Sequence, residues 1–332
     1  MNILVIKQTS LGDVLHSTGH VRSIKQKFPD SRLVLLTATS SEQIYRHNPW
    51  IDEIILIDRY GFKKNWWRKP VWAFGEMGRV WKQIRSQKFD IAFDLQGLAK
   101  SVVFLYGARA GKKYVKGNWW GLKGFSNKAL HAITEMDGVL KLAGVPVSDT
   151  SMEFATSEQD KFKVDQLLKD VSPDNRPILI MSPYSRWPSK DWPLDKYVQI
   201  SEALSTICQV IFTGSPDREV EIQQQLDQVK NHGALNFAGK LSLLEFVELV
   251  SQANLMLTGD SFPMHVAGAR KTPVIALFGP TDEQRVGPLG ENAWVIRVDG
   301  CSKCDLINCA RACLKRLDSN LVLEAVKNQL PR

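Results

Sequence analysis

A chain of 332 residues, 44% hydrophobic and 23% charged, has the composition of a folded globular protein with room for two domains, which excludes a disordered or single-module protein. No run of about 18 apolar residues occurs and the N-terminus enters a strand without a signal-peptide pattern, so a cytoplasmic location is expected. The net charge of +8 is moderate, and its uneven distribution matters more than its size.

Apolar runs bounded by turn residues alternate with segments of helical period, the pattern of parallel sheets wrapped by helices. Strands are predicted at Ile3 to Ile6, Leu33 to Thr37, Glu53 to Ile57 and Ile91 to Asp94, with helices over Val14 to Lys27, Phe74 to Ser86 and Ser126 to Ala143. The first strand runs into a small-residue turn, ILVIKQTSLGDVLHS, in which Asp13 sits at a helix start. Helix-end amides favour the anion there; Asp is equally a plain helix cap. Gly12 would let a substrate approach the backbone, and the turn lies at the carboxyl end of a parallel strand, where ligands of such sheets bind.

Between Lys63 and Lys128, fifteen basic residues, among them Lys63, Lys64, Arg68, Lys69 and Lys100, face only Glu76, Asp90 and Asp94. Trp66, Trp67, Trp72, Trp81, Trp119 and Trp120 are interleaved. Such a segment suits an anionic membrane interface or a phosphorylated glycolipid; a solvated basic face with its tryptophans in a core is the alternative. No nucleic-acid-binding motif accompanies the charge, so nucleic acid is not an expected partner.

Met152 to Arg176, polar with helical stretches, is predicted to link the halves. Beyond it, strands are predicted at Ile178 to Met181, Gln209 to Thr213, Leu255 to Thr258, Val274 to Phe278 and Ala293 to Arg297, with helices near Leu194 to Thr206, Arg218 to Val229, Leu243 to Ala253, Pro263 to Ala269 and Asn320 to Leu330. The expected division is residues 1–151, a linker at 152–176, a second domain at 177–315 and a C-terminal helix at 316–332 packing back on the first domain.

Two turns in this half point to a diphosphate. The loop SPYSRWPSKDWP, stiffened by Pro183, Pro188 and Pro193, presents Arg186, Ser189 and Lys190, and a diphosphate needs cations or N–H donors; surface basic residues in a rigid loop would look the same. TGDSFPMH places Asp260 and Ser261 between strand and helix, Pro263 in the first helical turn, and His265 one turn in, where it contacts a ligand or satisfies a buried carbonyl. Cys301, Cys304, Cys309 and Cys313 are close enough to hold a metal or to remain reduced thiols, and their spacing is not that of a zinc ribbon; Cys208 reads as a core residue. The absence of G-x-G and of G-x-x-x-x-G-K-[ST] disfavours dinucleotide and P-loop chemistry.

Five segments together, SLGDVLHS, DLQGLAKS, SRWPSKDWP, TGSPDREVE and DSFPMHVAGA with LFGPTD, resemble the bacterial lipopolysaccharide heptosyltransferases of glycosyltransferase family 9, in that family's order and over almost the whole chain. The resemblance implies a GT-B fold, two Rossmann-like domains with a cleft between them. It implies metal-independent, inverting transfer of L-glycero-D-manno-heptose from an ADP-heptose donor to Kdo-lipid A or a heptosylated core, at the cytoplasmic membrane face and with no cofactor. By the same resemblance Asp13 matches the base and Lys190 the lysine that neutralises the diphosphate. Asp260, Ser261 and His265 match the donor turn, Thr213, Gly214 and Glu219 a nucleotide-side loop, and Gln96 and Lys100, with Ser10, Gly12, Lys63 and Lys64, the acceptor side. Phe262 departs from the glycine found there in many members, where a side chain narrows the pocket or fills the helix–sheet interface. Competing readings are a family 9 enzyme using another sugar nucleotide, and a binding protein that inherited the fold without its activity.

Overall fold

The computed structural model describes residues 1–65, 70–171, 176–229, 233–308 and 313–331. The chain divides into two compact units, Met1–Ala155 and Thr156–Arg332.

In the first unit, six parallel strands, β1 (Asn2–Ile6), β2 (Arg32–Ala38), β3 (Glu53–Ile57), β4 (Phe89–Asp94), β5 (Ala110–Lys116) and β6 (Lys123–Phe125), stand in the order β3-β2-β1-β4-β5-β6. The central strands are continuous apolar runs because helices cover both faces: Ile3 to Ile6 and Leu33 to Leu36 are all buried. One face packs Leu4, Ile6, Val34 and Leu36 against Val80, Ile84, Val102 and Leu105. The order reverses between β1 and β4, and a doubly wound sheet opens its crevice at such a point, beyond the carboxyl ends of the two strands.

The second unit repeats the plan. Its strands β7 (Ile178–Ser182), β8 (Gln209–Phe212), β9 (Leu235–Asn236), β10 (Leu255–Gly259), β11 (Val274–Phe278) and β12 (Ala293–Arg297) stand in the order β12-β11-β10-β7-β8-β9, all parallel, with the reversal between β7 and β10.

All nine predicted strands are present. Three strands were not predicted: β5 and β6 toward the edge of the first sheet, and the two-residue β9 at the edge of the second; AGKKYVK carries too many lysines to read as a strand, and its buried residues are only Tyr114 and Val115. The helix expected over Val14 to Lys27 is two helices, Leu11–Leu15 and Thr18–Lys27. The Ser17 and Thr18 hydroxyls donate to the Val14 and Leu15 carbonyls at 2.7 and 2.8 Å, serving the groups that a continuous helix would have bonded.

The segment expected as a linker contains a helix, Glu158–Val171, that packs on the Leu243–Gln252 helix of the second unit through Lys163–Glu245 and Gln252–Asp165 contacts. The last helix, Ser319–Gln329, buries Val322 and Val326 in the core of the second unit, together with Trp192 and Tyr197. Among the described residues no helix is long and apolar enough to cross a membrane.

Candidate functional site

Two turns at strand carboxyl ends gather most of the predicted residues, one in each unit. In the first, the chain leaves β1 at Lys7 and enters the Leu11–Leu15 helix with Ser10 as its cap. Asp13, half-buried, receives hydrogen bonds at Oδ2 from the Ser10 N–H (3.2 Å) and hydroxyl (3.1 Å). This is the Ser/Thr-x-x-acid arrangement that closes a helix start, so the capping reading and the placement at a strand end are both realised. Gly12 is buried within the short helix.

The DLQGLAKS motif lies beside this turn, because β4 is the parallel neighbour of β1. Gln96 Oε1 accepts from the N–H groups of Gln8 (3.2 Å) and Thr9 (3.0 Å), and Lys100 Nζ donates to Thr9 Oγ1 (2.8 Å). Asp94, fully buried, accepts at Oδ1 from the N–H groups of Gln96 (2.8 Å) and Gly97 (3.0 Å). Burial pushes its carboxyl up to about 6 against the lowering effect of those bonds and of Lys7.

Lys7 itself, only 2% exposed, donates to the Leu95 carbonyl at 3.1 Å. Desolvation brings its ammonium down to about 8, although Asp13, Asp94 and Glu135 all favour the charged form. Lys64 is exposed; nothing is described of the Lys63 side chain, and Trp66, Trp67, Arg68 and Lys69 lie outside the described residues. The other predicted tryptophans divide: Trp81 and Trp119 pack against the first unit's core, while Trp72 is partly exposed and Trp120 is 92% exposed.

In the second unit, β10 ends at Gly259 and Ser261 caps the Phe262–Arg270 helix, with Pro263 in its first turn. Lys190, at the end of a short 3-10 turn, places Nζ 2.7 Å from Asp260 Oδ2 and 4.3 Å from the centroid of the Trp187 ring. Side-chain exposures of 16% for Lys190 and 6% for Asp260 make this a substantially desolvated pair at a helix start. The approach is close: a Cβ on Gly259 would lie 2.9 Å from the Lys190 carbonyl oxygen.

The Ser261 hydroxyl lies 3.1 Å from Thr258 Oγ1, which donates to the Ser182 carbonyl, joining β10 to β7 across the reversal. His265 is buried and Phe262 half-buried. Ser189 is also buried, but its hydroxyl donates to the Leu306 carbonyl at 2.7 Å and so ties its loop to the 301–308 segment. Arg186 is exposed. Thr213, buried at the end of β8, places Oγ1 2.5 Å from Ser182 Oγ; Gly214 is exposed and Glu219 opens the next helix. Beside them the Arg218 guanidinium lies 4.3 Å over the Tyr184 ring.

Of the cysteines, Cys301 donates to the Gly279 carbonyl at 3.0 Å, Cys313 is buried in the second unit's core, Cys304 is half-buried, and Cys309 lies outside the described residues. Among the described residues no group of three or more His, Cys, Asp or Glu side chains could hold a metal ion. Cys208 is buried as expected, its thiol pushed up to about 12 by burial.

Residues 77–315 match the family model for glycosyltransferase family 9 (heptosyltransferase). The chain belongs to this family. It is 28% identical over 302 residues to the lipopolysaccharide core heptosyltransferase OpsX of Haemophilus influenzae, across 86% of this chain and 81% of that protein. Among solved structures, a family 9 glycosyl transferase from Veillonella parvula superposes with a TM-score of 0.84 at 20% identity, covering 99% of this chain and 96% of its own. E. coli heptosyltransferase WaaC with ADP superposes with a TM-score of 0.78 at 19% identity, covering 99% and 100%. The chain thus has the GT-B-type α/β fold of these proteins, and as a family 9 member it is a glycosyltransferase.

Three side chains at these glycosyltransferase turns were not singled out from the sequence: Lys7, Asp94 and Trp187. Lys7 and Asp94 each leave a signal, a charged residue closing an otherwise apolar strand, which is unusual unless it is partnered. Trp187 leaves none, since only the fold of its loop lays the ring against Lys190.

Proposed function

We propose that this chain is an inverting, metal-independent heptosyltransferase that moves L-glycero-D-manno-heptose from ADP-heptose to the inner core of lipopolysaccharide, Kdo-lipid A or an already heptosylated core. Family membership supports the reaction class; the relative named as a lipopolysaccharide core heptosyltransferase, and the WaaC structure with ADP, support the acceptor and donor. The single observation that carries the reading is Lys190 beside Asp260 at a helix start, an ammonium held where a diphosphate would be received.

In this reading Asp13, its carboxylate held by Ser10, takes the proton of the acceptor hydroxyl while the acceptor oxygen bonds to the anomeric carbon. The bond from that carbon to the diphosphate oxygen breaks with its electrons, and ADP leaves with its charge met by Lys190. Asp260, Ser261, His265, Arg186, Ser189, Thr213, Gly214 and Glu219 belong to the donor side. The first unit receives the phosphate- and Kdo-bearing acceptor with Ser10, Gly12, Lys63, Lys64 and Lys100, and Gln96 lies on the same side.

The enzyme works on the inner face of the cytoplasmic membrane as a peripheral protein. Exposed Tyr60, Val71, Trp72, Phe74 and Trp120 within a basic stretch support that placement, because apolar and aromatic groups beside lysines suit a headgroup layer.

The test is transfer from ADP-heptose, alongside other sugar nucleotides, to a panel of Kdo-lipid A and heptosylated core acceptors, with Asp13→Asn protein in parallel. Product on one acceptor, lost in the variant, is expected. No product from ADP-heptose, with product from another sugar nucleotide, would replace the donor assignment.

A further inference from the structure

Gln96 and Lys100 carry their polar groups to the backbone and hydroxyl of the Asp13 turn. Gln96 Oε1 holds two consecutive amides, those of Gln8 and Thr9. Both partners can only donate, which settles that the oxygen of this amide faces the turn. Gln96 is itself fixed from below: Asp94 Oδ1 accepts from the Gln96 and Gly97 amides, and Gly97, at φ +68°, stands so close to the Lys116 carbonyl that a Cβ would lie 2.1 Å from it. Two further bonds cross between the same segments, Lys7 Nζ to the Leu95 carbonyl and Lys100 Nζ to Thr9 Oγ1. Thr9 is followed by Ser10, whose N–H and hydroxyl hold the Asp13 carboxylate. A continuous chain of hydrogen bonds therefore runs from a buried carboxylate in β4 to the acid in the neighbouring turn.

We propose that Gln96 is a positioning residue for Asp13: by clamping the Gln8 and Thr9 amides it fixes the backbone from which Ser10 aims the carboxylate. This rests on Asp13 acting as the base. Removing the acceptor leaves two amides to find other partners, and the turn then relaxes. A displacement of about 1 Å in a reacting group costs up to about a hundredfold in rate. A residue of this kind affects turnover, whereas a residue that binds the acceptor affects its KM.

The experiment compares Gln96→Met, which keeps the volume and removes the oxygen, with Gln96→Glu, which restores an oxygen acceptor, and with Asp13→Asn, in steady-state transfer with the acceptor varied. The expected result is a fall in kcat of about 10- to 100-fold for Met with little change in acceptor KM, and recovery of most of that loss by Glu. A Met variant with parental kcat, a loss confined to acceptor KM, or a Glu variant no better than Met would each overturn the proposal. Turnover surviving in Asp13→Asn would instead remove the base reading on which it rests. Should Gln96→Met fail to fold, Gln96→Asn carries the test by drawing the oxygen one methylene back from the two amides: a fall in kcat of up to about tenfold at unchanged acceptor KM is expected, and parental kcat overturns the proposal.

Discussion

At the first strand-end turn Asp13 takes its hydrogen bonds from the amide and hydroxyl of Ser10 and stays half-buried; at the second, Asp260 is nearly enclosed and meets the Lys190 ammonium at 2.7 Å. Both are acids at the carboxyl end of a central parallel strand, followed by a helix, in sheets of the same strand order. Their partners separate them. An acid held by a serine keeps a carboxylate able to accept a proton. An acid that meets a lysine at 2.7 Å holds the ammonium in one place, and an ammonium so held is an anchor for an anionic ligand. Two copies of one architectural motif have thus been given different chemistry by a few side chains.

Four substitutions test that contrast. The largest effect is expected at the first turn: Asp13→Asn should fold normally and lose about 10²- to 10⁴-fold in transfer rate, measured with saturating donor and acceptor, and near-parental turnover would make the two turns equivalent. At the second turn the expected loss is in stability. Asp260→Ala leaves the Lys190 ammonium without its anion and should cost about 3 kcal/mol in urea denaturation, the low end for a broken buried pair because Lys190 keeps some water contact. A cost below about 1 kcal/mol would class the pair with surface ion pairs.

Gly259→Ala should displace the Lys190 backbone, costing about 1–3 kcal/mol and raising the donor KM while leaving the acceptor KM alone; an unchanged donor KM would show that the close approach does not matter for Lys190. The smallest effect concerns Lys7. Its folded-state value of about 8 lies below the ordinary 10.5, so between those values the unfolded chain binds more protons and stability should rise with pH. Denaturation of parent and Lys7→Met across that range should differ by a slope of at most about 1.4 kcal/mol per pH unit, absent in the variant. Parallel curves would mean that burial leaves the ammonium unperturbed.

Much of this was legible beforehand. Most of the nine predicted strands were apolar runs with buried residues, whereas β5 and β6, beside and at the edge of the first sheet, were missed because they carry the lysines of a solvated surface, and β9 because it has only two residues. Asp13, Lys190 and Asp260 were singled out because small residues and prolines mark the turns that hold them. Gln96 and Lys100 were found by the motif around them, but the bonds they make were not, since strand adjacency across about 90 residues of chain appears in no local pattern. Ser189 was singled out within the diphosphate loop, but the bond from its hydroxyl to the Leu306 carbonyl, 117 positions away, was not legible.

The sequence by itself determined the α/β class, the two-domain count, the strand ends and the chemical types gathered at each turn, because hydrophobic period, glycine and proline act locally. Tertiary structure decided what each charged group meets: that Lys7 and Asp94 are buried together, that Lys190 closes on Asp260 and Trp187, and that the last helix belongs to the core of the second unit. Those outcomes turn on burial and on distances of a few ångströms between residues far apart in the chain, and the strength of an electrostatic contact is set by both.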